Sequence, residues 1–177
     1  MEKLSMENLN RISVEEFKNA EKSPIVVVLD NVRSALNVGS VFRTSDAFRI
    51  EKIILCGITA TPTNVEIRKT AIGAENSVDW EYAKSTIDAV LNLKNKGYKI
   101  IAIEQAKESV MIDNLNLSNT EKCAIIFGNE VKGVDDDVMN MCDLCVEIPQ
   151  FGTKHSLNVS VSAGIAIWEF FKILKKV

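Results

Sequence analysis

The sequence contains a single histidine, His155, among its 177 residues. One histidine cannot supply a Ser/His/Asp or Cys/His set of the kind that nucleophilic hydrolases use, and we interpret His155 as a loop residue. A zinc site at Cys142-x-x-Cys145 would need a second Cys or His pair at similar spacing, which the sequence lacks. We therefore expect no bound metal, and we interpret all four cysteines, Cys56 and Cys123 included, as buried thiols.

Long apolar runs and a strong charge of one sign are also missing. No run approaches the ~20 residues of a membrane span, and the N-terminal residues 1–8 lack an apolar signal core, so we expect a cytoplasmic protein without a membrane partner. The net charge of −3 argues against a protein that coats nucleic acid non-specifically, but it allows a local basic patch. A hydrophobic content of 46% with 25% charged residues is typical of a globular domain.

The common nucleotide-binding motifs are absent. No G-x-G-x-x-G follows the first apolar run, which excludes a Rossmann-type dinucleotide site. The segment Gly128-Asn-Glu-Val-Lys-Gly133 has the glycine spacing of a P-loop, but Val134 occupies the place of the lysine. We therefore do not expect this loop to bind phosphate in the P-loop manner.

Apolar runs alternate with helical patterns along the chain, which predicts an α/β fold with a mostly parallel sheet and helices on both faces. Capping boxes at Ser13/Glu16 and Thr63/Glu66 predict two helix starts, and Gly73 would end the second helix. We expect a short helical extension over residues 1–24 and one domain over residues 25–177. The remaining predicted strands are 25–29, 52–56, 79–83, 98–104, 121–127 and 144–148, and the remaining helices are 38–48, 85–96, 135–141 and 158–176.

Polar loops that contain glycine or proline follow three of these strands, at residues 30–43, 128–133 and 149–158. The carboxyl ends of parallel strands meet at one edge of a sheet, where open α/β sheets bind ligands. The third loop leads into a helix start crowded with Ser156, Asn158, Ser160 and Ser162. Taken alone, that crowding fits a well-capped helix; together with the other two loops it predicts a polar pocket for a small ligand.

Three segments resemble a known family. Asn37-Val-Gly-Ser-Val-Phe-Arg43, Phe127-Gly-Asn-Glu-Val-Lys-Gly133 and the run Ile148 to Ser160 resemble, in this order, motifs 1, 2 and 3 of the SpoU/TrmH branch of the SPOUT RNA methyltransferases. The resemblance covers roughly residues 25–172. It implies a SPOUT-type fold with a C-terminal trefoil knot, S-adenosylmethionine as methyl donor, and a homodimer with active sites at the subunit interface. The substrate it implies is a ribose 2′-hydroxyl of tRNA or rRNA.

The resemblance also implies roles for individual residues. The adenosine of the methyl donor would be held largely by backbone groups at Gly128, Ile148 and Leu157. The catalytic or supporting residues would be Asn37, Arg43, Glu130, Ser156 and Asn158.

Arg43 and Glu130 leave alternatives open. A guanidinium is effectively always protonated, so we expect Arg43 to bind the RNA phosphate and to stabilise the developing alkoxide. Glu130 would orient Arg43 or, alternatively, accept the proton. A salt bridge between the two side chains that only ties two loops together is the purely structural alternative.

Two further functions remain possible at this point: methylation of an RNA base nitrogen, and RNA binding without catalysis. The form Ser156-Leu-Asn-Val-Ser160 favours ribose among relatives of this kind. The final helix is apolar on nearly all sides between Ala163 and Leu174, which favours burial against a second subunit. The sequence does not identify the RNA or its recognition surface.

Overall fold

The structure, a computed structural model, describes residue 1, residues 3–5 and residues 7–175. The strands are β1 (Ser23–Asp30), β2 (Ile50–Cys56), β3 (Trp80–Ala83), β4 (Tyr98–Ile103), β5 (Val110–Met111), β6 (Lys122–Phe127) and β7 (Leu144–Glu147). The helices are α1 (Val14–Asn19), α2 (Ala35–Ala47), α3 (Val65–Ala71), α4 (Ala74–Ser77), α5 (Thr86–Asn95), α6 (Asp136–Met139) and α7 (Val159–Lys175), with short 3₁₀ turns at Glu7–Leu9 and Ile112–Asn114.

The strands form one sheet in the order β3-β2-β1-β6-β4-β7-β5, and every strand pairing in the described chain is parallel. In the centre, Leu29 of β1 lies beside Leu55 of β2 and Phe127 of β6. The carboxyl ends of β1, β6, β4 and β7 therefore lie along one edge. The predicted α/β fold with a parallel sheet is confirmed, and the trefoil knot stays a prediction.

Alternate residues of the central strands enter two separate apolar cores. Val27 and Leu29 of β1 belong to the core that α2 and α7 cover, whereas Val26 and Val28 belong to the core that α5 and α6 cover. Helices on both faces explain why the strand sequences are continuous apolar runs. Each large side chain that is fully buried stabilises the fold by about 1.5–3 kcal/mol.

Helix α7 is the longest helix, with 17 residues, and it buries Ala163, Ile167 and Phe170 against the sheet. No helix in the described ranges is both long and apolar enough to cross a membrane.

Helices α2 and α3 approach each other closely at Gly39. A Cβ at this position would lie 2.2 Å from the Ile67 carbonyl oxygen and 2.2 Å from Thr70 Oγ1. The Thr70 hydroxyl donates to the Leu36 carbonyl at 2.8 Å, which links the two helices. Gly39 therefore fixes the position of α2, the helix that carries Asn37 and Arg43.

Several predicted boundaries are wrong in detail. Asn64, not Thr63, caps α3: its Oδ1 accepts the Glu66 N–H at 2.9 Å, while the Thr63 hydroxyl pairs with Thr61. The capping box at Ser13 and Glu16 is confirmed. Helix α2 begins three residues before the predicted start, and strand β5 and helix α4 were not predicted. The predicted end of the last helix, Lys176, lies outside the described residues.

The four cysteines are free thiols. Cys56 and Cys123 are fully buried, as predicted, and burial raises the pKa of each thiol to about 12. Cys142 and Cys145 are only half-buried, which corrects the prediction for this pair, because they lie at the margin of the core beside α6. Burial raises the pKa of Cys142 to about 11, so it is a protonated thiol at neutral pH.

Candidate functional site

Glu130 joins two of the three predicted loops. Its Oε2 accepts the Arg33 N–H at 2.8 Å, and its Oε1 accepts the Ser34 N–H at 3.0 Å and the Asn37 side-chain amide at 3.0 Å. These donors belong to the start of α2, where backbone N–H groups have no partner inside the helix. The carboxylate from the 128–133 loop therefore binds the N-terminus of α2, a position that favours negative charge.

Asn37 and Asn158 join the third loop to the other two. Because the carboxylate of Glu130 can only accept, the amide NH₂ of Asn37 must face it. The Asn37 Oδ1 is then free to accept from the Asn158 Nδ2, at 3.1 Å. Asn158 in turn presents its Oδ1 to the Ser160 N–H at 2.8 Å, so it caps α7. We call Asn37, Glu130 and Asn158 the three-loop network.

The 128–133 loop is a tight turn. The backbones of Asn129 and Gly133 exchange two hydrogen bonds of 2.9 Å, and the Asn129 side chain accepts from Val131 and donates to the Asn31 carbonyl. A Cβ on Gly128 would lie 2.1 Å from the Gly133 carbonyl carbon. Only glycine at position 128 lets the turn close, and closure leaves backbone groups at the end of β6 open to a ligand.

Asp30 supports this loop from inside the molecule. The side chain is buried at the end of β1, where Oδ1 accepts from Thr86 at 2.6 Å and Oδ2 accepts the Asp135 N–H at 3.0 Å. A buried carboxylate needs such donors to offset its desolvation. Asp30 thus ties β1 to the start of α5 and to the chain just after Gly133.

A cleft of about 840 Å³ opens where the three loops meet. Six of the eight predicted site residues line it: Gly128, Glu130, Ile148, Ser156, Leu157 and Asn158. Asn37 lies at its border, because it contacts both Glu130 and Asn158. Cavities that hold small organic ligands have volumes of about 300–1,000 Å³. The predicted meeting of three loops at one edge of the sheet is confirmed.

Arg43 does not line this cleft. It is exposed on the same stripe of α2 as Leu36 and Ala47, and it forms no salt bridge within the part of the chain that the structure describes. The predicted contact between Arg43 and Glu130 is therefore wrong. Glu130 accepts from the Arg33 N–H, the Ser34 N–H and the Asn37 side-chain amide instead.

The ionisation of Glu130 follows from these contacts. Partial desolvation would raise the pKa of its carboxyl, but the hydrogen bonds from Arg33, Ser34 and Asn37 outweigh it, so the pKa lies below the ordinary value. Glu130 is thus ionised near neutral pH. A carboxylate with a lowered pKa and three donors is poorly suited to remove a proton.

The sequence profile of the SpoU rRNA methylase family matches residues 24–168. The chain belongs to this family. As a SpoU methylase it is similar to the 23S rRNA (guanosine-2′-O-)-methyltransferase RlmB of Neisseria meningitidis serogroup B, with 30% identity over 161 residues. These residues are 90% of this chain and 63% of the relative, so the chain spans less than two thirds of the relative's length.

Solved SpoU structures share the fold. The AdoMet-bound rRNA methyltransferase from Sinorhizobium meliloti superposes with a TM-score of 0.80 at 26% identity, over 89% of this chain and 60% of that one. The A. aeolicus TrmH/SpoU tRNA modifying enzyme superposes with a TM-score of 0.81 at 25% identity, over 92% of this chain and 83% of that one. The seven-stranded parallel sheet is thus the fold of SpoU enzymes that modify rRNA and tRNA.

A fourth loop of this SpoU chain also reaches the cleft, and sequence reasoning missed it. Glu104 and Gln105, directly after β4, line the cleft, and Gln105 donates to the His155 carbonyl at 2.7 Å. The polar pair follows the apolar run 98–103, and β4 is parallel like its neighbours. The predicted strand 98–104 includes Glu104, and the change from apolar to polar residues after Ile103 is the signal that could have placed the pair in a loop at the same edge.

Proposed function

We propose that this chain is an S-adenosylmethionine-dependent RNA methyltransferase that acts on a ribose 2′-hydroxyl of tRNA or rRNA. The observation that carries the proposal is the three-loop network beside a single cleft, because it unites the three SpoU motifs at one edge of the sheet. Two comparisons support it: a relative is named as a guanosine 2′-O-methyltransferase, and an AdoMet-bound neighbour shares the fold.

The cleft fits the methyl donor in size and in chemistry. Gly128, Ile148 and Leu157 offer backbone groups around one space, and the apolar side chains of Ile103, Phe127 and Met139 line the same space. Backbone N–H and C=O groups suit the edge of an adenine, and apolar surface suits its faces. When bound there, S-adenosylmethionine supplies a methyl group on a sulfonium, whose leaving group is a neutral thioether.

The residues of the chain have two remaining tasks, which are to hold the acceptor ribose in line and to stabilise the oxygen as it loses its proton. Alignment of two reactants lowers the activation free energy by several kcal/mol (~7–11 at best). Ser156 and Asn158 line the cleft, and Asn37 fixes the orientation of Asn158. These polar side chains position the ribose and the loop.

Arg43 supplies positive charge rather than a base. Its planar guanidinium suits an RNA phosphate, and its charge stabilises a developing alkoxide on the neighbouring ribose. Glu130 holds the N-terminus of α2 in place and keeps Asn37 oriented. With three hydrogen bonds from Arg33, Ser34 and Asn37, Glu130 acts as a positioning residue.

A homodimer completes the site in this proposal. The exposed residues Val161, Ile165 and Trp168 follow each other at i, i+4 and i+7 on α7, and Leu36 is exposed on the neighbouring α2. Exposed large apolar side chains that are grouped on one face of a helix favour an interface. Arg43 lies on the Leu36 stripe, outside the cleft of its own chain. We infer that a second copy that covers this surface places Arg43 at the partner's cleft.

The cytoplasm is the proposed location. The four free thiols suit a reducing compartment, and tRNA and rRNA are the substrates named for relatives.

Two measurements test the function. Calorimetric titration with S-adenosylmethionine should show one donor per chain, and a map of 2′-O-methyl groups across total RNA should lose at least one site when the gene is deleted. A protein that fails to bind the donor, or a deletion strain with an unchanged ribose-methylation map, would refute the proposal.

A further inference from the structure

Glu104 places a carboxylate in the cleft that the three SpoU motifs do not include. It directly follows β4, and its side chain lies under the 128–133 loop: a Cβ on Gly133 would be 2.3 Å from Glu104 Oε2. Gly133 has a φ of +73°, a backbone conformation that favours glycine, and a Cβ there would also displace the Glu104 carboxylate. Glu104 is thus built into the cleft wall, not left free on the surface.

Backbone donors hold both oxygens of Glu104 in place. The Gln105 N–H donates to Oε1 at 2.8 Å, and the Val134 N–H donates to Oε2 at 3.3 Å. A carboxylate has about four acceptor positions, so each oxygen keeps one for a ligand. Glu104 also forms no salt bridge among the residues that the structure describes.

The other carboxylates of the cleft are less suitable for a ligand. Glu130 already accepts three hydrogen bonds. Asp136 lies in the exposed first turn of the short helix α6, and no comparable pair of backbone donors from the described residues fixes its side chain. Among these three carboxylates, Glu104 alone combines a fixed orientation with one free acceptor on each oxygen.

We propose that the Glu104 carboxylate recognises the vicinal 2′- and 3′-hydroxyls of the methyl donor's ribose. Two neighbouring hydroxyl donors match two carboxylate oxygens, each with one free acceptor position, and hydrogen bonds to an ionised acceptor are among the stronger ones. The location agrees with the general position of ligands in open α/β sheets, beyond the carboxyl ends of the strands. The inference rests on the proposed function, because it presumes that the donor's adenosine occupies this cleft.

The test compares two ligands on three proteins by isothermal titration calorimetry. The ligands are S-adenosylhomocysteine and its 2′-deoxyribose analogue, and the proteins are the wild type, Glu104→Gln and Asp136→Asn. The control Asp136→Asn removes the same charge from the same cleft. We expect Glu104→Gln to weaken S-adenosylhomocysteine by about 10- to 100-fold, as the loss of a hydrogen bond to a charged group does. The control should bind it as the wild type does.

The deoxy analogue separates recognition from support of the loop. If Glu104 binds the hydroxyls, the analogue binds the wild type weakly, and Glu104→Gln weakens the analogue much less than it weakens S-adenosylhomocysteine. Equal weakening of both ligands would show that Glu104 only supports the loop, which overturns the inference. An unchanged affinity of Glu104→Gln for S-adenosylhomocysteine overturns it as well.

Two further outcomes keep the inference and the proposed function apart. A wild type that binds neither ligand refutes the proposed function, whereas a wild type that binds both ligands equally refutes the inference alone. If Glu104→Gln does not fold, Glu104→Asp retains the charge and shortens the side chain by one methylene, and it should show the same preferential loss of S-adenosylhomocysteine.

Discussion

Arg43 lies on an exposed stripe of α2 and does not line the cleft of its own chain. In the proposed reaction its charge stabilises the alkoxide and an RNA phosphate. We expect Arg43→Ala to retain fold and donor affinity and to lose methyl transfer by about 100-fold or more, which is the cost of removing one group that stabilises transition-state charge. A tritium-transfer assay on RNA, calorimetry with S-adenosylmethionine and a thermal melt measure the three quantities.

The matched control for Arg43 is Lys96→Ala, which removes an exposed positive charge just after α5, at the opposite edge of the sheet. It should retain methyl transfer. Wild-type turnover in Arg43→Ala, or an equal loss in both variants, would contradict the role assigned to Arg43.

Glu130 is a second residue of the site, and its contribution to the free energy of unfolding can be measured. A glutamine at this position has only one acceptor oxygen. Its NH₂ group would face an N–H group that donates to the carboxylate in the wild type, so at least one hydrogen bond would be lost. Because Glu130 is exposed and solvent screens its charge, we expect Glu130→Gln to lower the free energy of unfolding by only about 1 kcal/mol at neutral pH. Urea denaturation of the wild type and the variant measures the difference.

The same difference should depend on pH. The folded-state pKa of Glu130 lies below the ordinary value, so the ionised side chain stabilises the fold above that ordinary value and loses this contribution as the pH falls through the lowered pKa. The gap between wild type and Glu130→Gln should therefore shrink below about pH 4. Glu108→Gln, which changes an exposed carboxylate in the loop after β4, should show no comparable gap. A gap for Glu130 that persists unchanged in acid would be inconsistent with this account.

At the residue level, the sequence predicts which residues lie at the site better than it predicts which groups they contact. Six predicted residues line one cleft. The position of the three loops after buried strands predicts the edge of the sheet, and the resemblance to the SpoU motifs selects the individual residues. The partner of Glu130 could not be predicted, since the donors are two backbone N–H groups and an amide rather than the nearest complementary charge. Charge complementarity in a sequence does not reveal which backbone groups remain unpaired.

At the level of elements, the N-termini of α2 and α7 position the polar residues of the site. Asn158 both caps α7 and donates to Asn37, and two substitutions separate these roles. Asn158→Asp retains the capping oxygen but cannot donate to the Asn37 Oδ1, whereas Asn158→Ala loses both interactions. We expect only the alanine variant to lose about 1 kcal/mol of capping energy.

Both Asn158 variants should lose methyl transfer if the link to Asn37 positions the site. Chemical denaturation of the two variants measures the capping role of Asn158, and the tritium-transfer assay measures its role in positioning the site. Wild-type activity in Asn158→Asp would mean that capping alone accounts for Asn158.

The two predicted helix caps show which helix starts local sequence can predict. Ser13 with Glu16 was predicted correctly because both halves of the box are local. Thr63 failed because Asn64, one residue later, has a side chain that accepts from Glu66. Neighbouring capping residues compete for one helix start, so a capping pattern in the sequence does not by itself identify the residue that caps.

For the whole molecule, the alternation of strands and helices predicts the parallel sheet, but not its strand order. Asn37 and Asn158 are 121 positions apart in the chain, and their contact depends on where β6 and β7 enter the sheet. Periodicity contains no information on that order. The resemblance of three ordered segments to a family predicts that they form one site, but it does not give the order of the strands either.

The exposed apolar residues of α2 and α7 lead to a prediction about the assembly. If the surface formed by Leu36, Val161, Ile165 and Trp168 joins two copies, the wild type should sediment at micromolar concentration with twice the 19.6 kDa mass of the chain. Ile165→Asp places a charge in this apolar surface and should yield monomers without methyl transfer. Leu91→Asp, on the exposed side of α5 across the sheet, should remain dimeric and active. Sedimentation velocity distinguishes these outcomes, and a wild type that stays monomeric rules out the interface.

Mixed dimers test whether Arg43 acts on the partner's cleft. Arg43→Ala removes the guanidinium, and Gly128→Ala disrupts the cleft because its Cβ has no space beside Gly133. Each variant alone should be inactive. In a mixed dimer, the intact cleft of the Arg43→Ala chain meets the intact Arg43 of the other chain, so random mixing of equal amounts should restore about a quarter of wild-type turnover. If Arg43 served the cleft of its own chain, every site in the mixture would contain one defect and no activity would return.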